Sequence, residues 1–298
     1  MPELPDLLYI QKYLRNNTVG RTVTNTEVKR PIVVRNATDG SFEDALCGRR
    51  IEAIQLAAPF LALQFDQEID LVLNLMLAGR IQHQRAREKA DGYLCVALAL
   101  DDGTHLNICD DQQMAKVYLV RHGEYSTVPK YEELGVDILS NDFTLAGFRE
   151  LAKQHSRKQV RVMINDHTIL GSIGNAYADE ILFDAGIHPK TFVAKLTRED
   201  IDRLYGSIVA VMQWGIAEVE KAAQPIQVKV REHMKVRNRK GQPCPRCGTT
   251  IRREGVRGYD VFFCPKCQPA TRKLFLDWNK RCRGVRGYRK RRPRPFDS

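Results

Sequence analysis

The 298-residue sequence contains no apolar run that approaches the ~20 residues of a membrane-spanning helix. Its start has neither the basic segment nor the continuous apolar stretch of a signal peptide. These two absences argue against a membrane protein and a secreted protein, so we expect a cytoplasmic protein with no membrane partner. Cysteines in that compartment are kept reduced, and we therefore expect the eight cysteines to form no disulfides.

Acidic residues are scarce in the last quarter of the chain. Residues 227–298 hold 22 of the 47 Lys and Arg but only 5 of the 36 Asp and Glu, a net charge of +17. Residues 1–226 hold the remaining 25 basic and 31 acidic residues, a net charge of −6. This distribution is typical of a protein that binds a polyanion mainly through one region. A basic tail that serves only solubility is the alternative.

Residues 1–130 predict an antiparallel β-sandwich preceded by a helix. Leu7, Ile10 and Leu14 fall at helical spacing. After them come short, β-prone apolar runs, FLALQF, IDLVLNLM and YLCVALAL, which polar or Gly-containing turns separate. Three cysteines of this region are interpreted as buried apolar side chains: Cys47, Cys95 and Cys109.

The pattern becomes helical from about residue 142. Asp142 is predicted to cap a helix in FTLAGFRELAKQ, a short helix should follow near 157–165, and GNAYADEILFDAG indicates a third. Thr197 and Asp200 predict a capping box at the start of a long helix that runs toward Ala222.

Four cysteines form the sharpest local motif, C-x2-C-x16-C-x2-C, at Cys244, Cys247, Cys264 and Cys267. Two residues between paired cysteines let both thiolates reach one ion, and the spacer is long enough for a β-hairpin that joins the pairs. With four protein ligands the site is closed, so we predict one structural Zn²⁺. Cys282 lies outside this pattern and is expected to be a free thiol.

The predicted hairpin between the cysteine pairs is basic. It carries Arg252, Arg253 and Arg257, opposed by Glu254 and Asp260. A metal-braced ribbon with arginines at its tip is suited to binding phosphates. A hairpin that is merely solvated is the alternative.

The stretch GSIGNAYADEILFDAGIHP places Asn175 at the start of a helix, after two glycines. Unpaired backbone N–H groups at a helix start bind anions, and glycine permits a phosphate to come close. The stretch therefore predicts a phosphate site, although an ordinary capped helix would look similar.

Three stretches together resemble one family. GSIGNAYADEILFDAGIHP resembles the helix–two-turn–helix motif of the formamidopyrimidine-DNA glycosylase/endonuclease VIII (Fpg/Nei) family. The opening MPELPD resembles that family's start, and the cysteine motif resembles its C-terminal zinc finger. The three lie in the family's order over about residues 1–268.

The resemblance implies a multi-domain α+β fold. An N-terminal antiparallel β-sandwich would cover 1–130, a helix–two-turn–helix domain 131–235 and a zinc-finger β-hairpin 236–270. A basic tail over 271–298 lies outside the resemblance, and we expect it to be disordered. The family's members are DNA-repair glycosylases and AP lyases, which implies damaged double-stranded DNA as the partner, association with the nucleoid and a monomeric state.

Pro2 and Glu3 match the family's nucleophile and its acidic helper. Removal of Met1 would leave Pro2 with a free secondary amine, and an α-amine titrates near ~8 rather than the ~10.4 of a lysine. Attack of this nitrogen on the sugar C1′ would release the base and leave an iminium, which promotes β-elimination. Glu3 would protonate the ring oxygen. The target base must leave the helix first, and Asn175 matches a residue that holds a neighbouring phosphate.

The sequence departs from the family pattern at the site. Pro59, in QLAAPFLAL, takes the place of a lysine that contacts the flanking phosphates. Leu77, Gln113 and Met114 stand where the family has a Met, an Arg and a Phe that fill the gap left by the flipped base. Leu77 and Met114 can still act as apolar wedges, whereas Gln113 carries no charge.

A further departure lies in the zinc hairpin. Tyr259 replaces the hairpin's usual arginine, and Arg257 is the residue that could substitute for it. The departures leave two hypotheses: a glycosylase/AP lyase that uses Pro2 and Glu3, or a catalytically weakened or inactive relative that binds damaged or bent DNA.

Overall fold

The structure is a computed structural model that describes residues 1–66, 68–85, 88–90, 92–171, 173–256 and 258–270. The predictions made for Arg257, for Cys282 and for the tail over 271–298 lie outside these residues. None of the helices in the described residues has the length and apolar character of a membrane span.

Two β-sheets form the N-terminal region. Their strands, in chain order, are β1 (Val23–Val28), β2 (Val34–Asn36), β3 (Ile51–Ala57), β4 (Phe60–Phe65), β5 (Ile69–Asn74), β6 (Arg80–Arg85), β7 (Leu94–Leu100), β8 (Thr104–Cys109) and β9 (Lys116–Arg121). One sheet has the order β2-β9-β5-β4-β3 and the other β1-β7-β8-β6. The ladders are antiparallel, except that β2 pairs with β9 in parallel. The predicted sandwich is therefore observed, with one parallel edge.

Two helices of the N-terminal region contribute apolar side chains to its core. In α1 (Leu4–Thr18) the side chains of Leu7, Ile10 and Leu14 are buried, as their spacing predicts. The short helix α2 (Phe42–Leu46) puts Phe42 and Leu46 into the core. Because Cys47 follows the last turn of α2, its side chain is exposed, and the prediction that it is buried is wrong.

Strands β4 and β5 lie side by side inside the larger sheet. Their nearly continuous apolar sequences are buried on both faces. One face belongs to the main core, and aromatic side chains from residues 125–134 pack on the other. Cys95 and Cys109 of the smaller sheet are buried, as predicted.

The helical region consists of α3 (Leu145–Gln154), α4 (Val160–Ile164), α5 (Asn175–Asp184) and α6 (Arg198–Ala222), with a short parallel pair of β10 (Val136–Asp137) and β11 (Leu170–Gly171). The capping box of α6 forms between Thr197 and Asp200 as predicted. The cap of α3 is Thr144, whose hydroxyl accepts a hydrogen bond from the N–H of Gly147 at 3.1 Å. Asp142 is not the cap because it lies in the preceding turn, two residues too early.

Helix α5 packs closely on α6. A Cβ atom at Gly215 of α6 would lie 2.2 Å from the ring of Tyr177, so glycine is required for this approach. After α6 the chain runs without regular structure to a hairpin of β12 (Arg252–Val256) and β13 (Tyr259–Phe263). Val256 pairs with Tyr259 at the end of this hairpin. Short 3₁₀ helices occur at Pro31–Val33, Tyr125–Thr127 and Val193–Lys195.

Candidate active site at the N-terminus

Three loops meet at one end of the five-stranded sheet. Phe60 of β4 pairs with Asn74 of β5, and Asn74 pairs with Lys116 of β9. The turn before β4, the loop after β5 and the loop before β9 are therefore neighbours. They carry Pro59, Leu77 and Met114 respectively, so residues that are distant in the sequence lie at one edge.

The start of the chain lies beside these loops. A narrow cleft is lined by Met1, Pro2, Glu3, Leu4, Leu7, Ala58, Pro59, His167 and Gly174. Pro2 is buried in it. Pro59, which we predict at the position of the family's lysine, thus lies at the same cleft as Pro2.

The α-amino group of Met1 donates a hydrogen bond to the backbone oxygen of Leu77 at 2.8 Å. Burial, assisted by the charge of Lys229, lowers the pKa of this amino group to about 5. An amine in this position is therefore neutral at pH 7. The nitrogen of Pro2 lies only three covalent bonds further along the chain.

The carboxylate of Glu3 lies at the N-terminus of α5. Its Oε1 accepts a hydrogen bond from the N–H of Ala176 at 2.8 Å, and its Oε2 accepts one from Tyr177 at 3.1 Å. A Cβ atom at Gly174 would lie 2.2 Å from Glu3 Cδ, so the glycine admits the carboxylate. These two N–H groups at the start of α5 are therefore used by Glu3. Burial raises the pKa of Glu3 against the opposing effects of Arg231 and the two N–H donors.

An ion pair holds the first turn of α1. Arg231 donates to both carboxylate oxygens of Asp6, at 2.9 and 2.6 Å, and Asp6 is buried. The N–H of Glu3 donates to Asp6 Oδ2 at 2.8 Å. Arg231 thus positions the backbone of Glu3 through Asp6, a role that the sequence analysis missed.

Asn175 is oriented by a buried arginine. Its Oδ1 accepts a hydrogen bond from Arg161 at 2.8 Å, and Arg161 also pairs with Asp179. The carbonyl end of the Asn175 amide is therefore used within the protein. The NH₂ end of the same amide carries the donors that a phosphate oxygen needs.

The predicted wedge residues lie on adjacent loops. Leu77 is 52% exposed and Met114 is 37% exposed. The buried carboxylate of Asp110 accepts hydrogen bonds from the N–H groups of Gln112, Met114 and Ala115, which fixes the loop. Gln113 takes a positive φ of 53° within it. Two exposed apolar side chains are thus presented on neighbouring loops, and the loop that carries Met114 is braced by Asp110.

The four cysteines of the predicted zinc site come together. Their sulfur atoms all lie within 4.8 Å of one another, and the pairs Cys244–Cys267 and Cys247–Cys264 are 3.9 and 3.5 Å apart. Four sulfurs that surround a zinc ion at ~2.3 Å in a tetrahedron are separated by about 3.8 Å. Backbone N–H groups also donate to the sulfurs of Cys244 and Cys264, as is usual for thiolates. The cluster therefore fits one zinc ion with no open position.

The zinc hairpin is fastened to α5 by two buried acids. Asp179 accepts hydrogen bonds from Arg237 at 2.8 Å and from the N–H of Phe262 at 3.3 Å. Glu180 accepts three from the N–H groups of residues 235–237, each at 2.9 Å. The sequence analysis missed both acids, although a consecutive acidic pair inside the apolar helix AYADEILF was an available signal.

One of the hairpin's arginines is paired with an acid of the same hairpin. Arg253 pairs with Asp260 at 2.7 Å, which partly neutralises it. Tyr259, in the place of the family's arginine, is 55% exposed.

Three family models match the chain in order. The formamidopyrimidine-DNA glycosylase N-terminal domain matches residues 1–117, the formamidopyrimidine-DNA glycosylase H2TH domain 134–226, and the zinc finger found in FPG and IleRS 241–270. The matches follow the sheets, the helices and the cysteine hairpin of the structure.

Named relatives match nearly the whole chain. The formamidopyrimidine-DNA glycosylase of Brevibacillus brevis is 32% identical over 278 residues, which cover 90% of this chain and 99% of the relative. That of Pelotomaculum thermopropionicum is 29% identical over 275 residues, with 90% and 99% covered.

Solved structures share the fold. The MutM (Fpg) protein of Thermus thermophilus is 28% identical with a TM-score of 0.79, and the match covers 91% of this chain and 100% of that chain. The Lactococcus lactis Fpg, solved in a complex with DNA that contains an abasic site, is 23% identical with a TM-score of 0.82 and covers 90% and 100%.

Proposed function

The chain belongs to the formamidopyrimidine-DNA glycosylase family, and we propose that it excises damaged bases and nicks the strand through a Schiff base on the nitrogen of Pro2. The family matches confirm the resemblance predicted from the sequence. The protein is an enzyme, a DNA glycosylase, and it has one structural zinc. The observation that carries the proposed mechanism is the placement of Pro2 and Glu3 in one cleft, with Glu3 held by the start of α5.

The reaction begins when Met1 has been removed and the nitrogen of Pro2 is free. Its lone pair attacks C1′ of the damaged nucleotide, the bond from C1′ to the base breaks with its electron pair on the base, and the base takes up the proton that the nitrogen loses. Glu3 gives its proton to the ring oxygen, the sugar opens, and the nitrogen and C1′ form an iminium. Loss of a C2′ proton then expels the 3′ phosphate by β-elimination, and water releases the sugar from the protein.

The surroundings suit both groups to these steps. In the chain that begins with Met1, burial lowers the pKa of the terminal amine to about 5. The nitrogen of Pro2 lies in the same cleft. We therefore infer that the Pro2 amine is neutral at pH 7 once Met1 has been removed. Burial also raises the pKa of Glu3, which favours a carboxylic acid that can donate a proton.

Other residues would hold the DNA. We assign phosphate contacts to Asn175 and to the zinc hairpin with Tyr259 and Arg257, and insertion beside the flipped base to Leu77, Gln113 and Met114. The partner is damaged double-stranded DNA, bound by a monomer associated with the nucleoid. The functional units are the sandwich (1–130), the helix–two-turn–helix domain (131–235) and the zinc finger (236–270), followed by the basic tail.

Trapping with borohydride tests the proposal. The protein is incubated with a duplex that contains one abasic site, and reduction converts an imine into a covalent adduct that a denaturing gel resolves. We expect an adduct with the natural chain and a much lower yield of adduct with Pro2→Gly, whose terminus is a primary amine without the ring that orients the nitrogen. Glycine at position 2 also permits removal of Met1, so the two proteins differ only in the kind of terminal amine. An undiminished adduct in Pro2→Gly would refute the proposed nucleophile.

A second function is favoured by the residues at three family positions. Pro59, Gln113 and Tyr259 carry no charge where the family has a lysine and two arginines. A catalytically weakened or inactive protein that binds damaged or bent DNA would tolerate these changes. It predicts tight binding to lesion duplexes with no adduct and no excision on any lesion tested.

A further inference from the structure

We propose that Lys229 is the active-site cation that replaces the lysine missing at Pro59. This inference rests on the proposed function, because it assigns a second group to the same cleft. Position 229 lies in the irregular segment between α6 and the zinc finger, 170 residues from Pro59 in the sequence, so no alignment of the β3–β4 turn would reveal it.

The contact with the N-terminus carries the proposal. Lys229 Nζ donates a hydrogen bond to the backbone oxygen of Leu77 at 2.9 Å. The same oxygen accepts the hydrogen bond from the N-terminal nitrogen of Met1 at 2.8 Å. Two amines from opposite ends of the fold therefore meet at one carbonyl group. That carbonyl belongs to a proposed wedge residue, so the lysine lies beside both the terminal nitrogen and a loop that we assign to DNA contact.

The position of Lys229 is fixed by its neighbours in the chain. Ile226 and Val230 are buried, and Arg231 is held by its two hydrogen bonds to Asp6. Lys229 itself is half-buried. A side chain anchored on both sides in this way loses little further freedom when it binds a phosphate.

The chemistry of Lys229 fits both roles of the missing lysine. An ammonium group has three donors, and the bond to Leu77 leaves two for the oxygens of a phosphate that flanks the opened sugar. A positive charge next to the terminal nitrogen also disfavours its protonation. Burial is the main cause of the lowered pKa of the Met1 amine, and the charge of Lys229 lowers this pKa further. Burial likewise lowers the pKa of Lys229.

The charged and titratable groups around the two amines come from several elements. Glu3 and Asp6 face them from α1, Lys229 and Arg231 from the segment after α6, and Arg80 from β6. His167 lines the cleft on the helical side. The substitution of Lys229 alone leaves all of these in place.

The test compares Lys229→Met with two controls in the full-length protein. Methionine keeps the length of the side chain without its charge. Lys229→Arg keeps the charge, and Lys221→Met removes an exposed charge from the last turn of α6. Each protein is assayed for the rate of cyanoborohydride trapping on abasic duplex between pH 5 and pH 9. The pKa of the N-terminal nitrogen is measured separately, by NMR after ¹³C-methylation of the terminus.

For Lys229→Met we expect the trapping rate at pH 7 to fall at least about tenfold, since a charged phosphate contact is lost. We expect its N-terminal pKa to rise by about 1, which lowers the rate about tenfold at pH values below that pKa. Lys229→Arg should keep most of the rate, and Lys221→Met all of it.

Suppose that the natural chain traps DNA and that Lys229→Met has the same trapping rate and the same N-terminal pKa. This result would overturn the role of Lys229 and leave the proposed function intact. A natural chain that forms no adduct would refute the proposed function. The NMR titration then decides the inference alone, because a raised N-terminal pKa in Lys229→Met supports it and an unchanged one overturns it.

Discussion

Gly174→Ala is a small change that should disable the site through Glu3. The backbone of Gly174 has φ −91° and ψ −175°, an extended conformation that alanine adopts without strain. The new Cβ atom would, however, lie 2.2 Å from Cδ and 2.7 Å from Oε1 of Glu3. The carboxylate must therefore move away from the start of α5.

The cost follows from the two hydrogen bonds that the movement breaks. The Glu3 carboxylate is buried and accepts from the N–H groups of Ala176 and Tyr177. A buried N–H group that loses its hydrogen-bond partner costs about 1–3 kcal/mol, so we expect the loss of both bonds to lower the free energy of unfolding by about 3 kcal/mol. In a chain of this size that corresponds to a decrease in Tm of at least about 6 °C.

The matched control is Gly171→Ala in β11. A Cβ atom there lies 3.4 Å from the nearest atom, the oxygen of Val136, which is close to an ordinary contact. We expect this variant to melt within about 2 °C of the natural protein and to trap abasic DNA normally, whereas Gly174→Ala should lose at least about 99% of the trapping rate. If Gly174→Ala melts and traps as Gly171→Ala does, the placement of Glu3 at the helix start has no functional meaning.

Three further predictions concern zinc, pH and the tail. Cys264→Ser should lose the bound zinc in elemental analysis and weaken DNA binding while circular dichroism of the sandwich persists; zinc retained at one per chain would contradict the four-sulfur site. Because the raised pKa of Glu3 means that the folded protein holds a proton more tightly than the unfolded chain, stability should fall as the pH rises from about 4.5 through the folded-state pKa. Glu3→Gln should lose this part of the slope in urea unfolding at pH 5 and pH 8, and an unaltered slope would show that Glu3 does not titrate there. Deletion of residues 271–298, which lie outside the described residues and contain 11 Lys and Arg, should flatten the dependence of DNA affinity on salt; an identical slope would exclude the tail from binding.

The sequence predicted those features that depend on local spacing. The buried face of α1, the capping box at Thr197 and the cysteine cluster all follow from residues a few positions apart, or from one motif of fixed spacing. Local patterns also produced the errors, since Asp142 and Thr144 are both good caps and only the turn geometry distinguishes them. Cys47 was assigned to the core on residue type alone, and the end of α2 exposes it.

The organisation of the active site could not be predicted in this way. Glu3 meets the start of α5 across 173 residues, and Arg231 meets Asp6 across 225. Lys229 reaches Leu77 across 152 residues. Such contacts depend on how the sandwich, the helices and the segment after α6 pack together. The family resemblance singles out Glu3 and Leu77, but nothing in the sequence points to their partners or to the pair of Asp6 and Arg231.

Mass spectrometry of the reduced protein–DNA adduct identifies the nucleophile itself. After borohydride trapping and digestion with nuclease and protease, we expect the sugar remnant on the nitrogen of Pro2, in an N-terminal peptide that lacks Met1. A remnant on the side chain of Lys229, or a reactive protein that retains Met1, would refute Pro2 as the nucleophile.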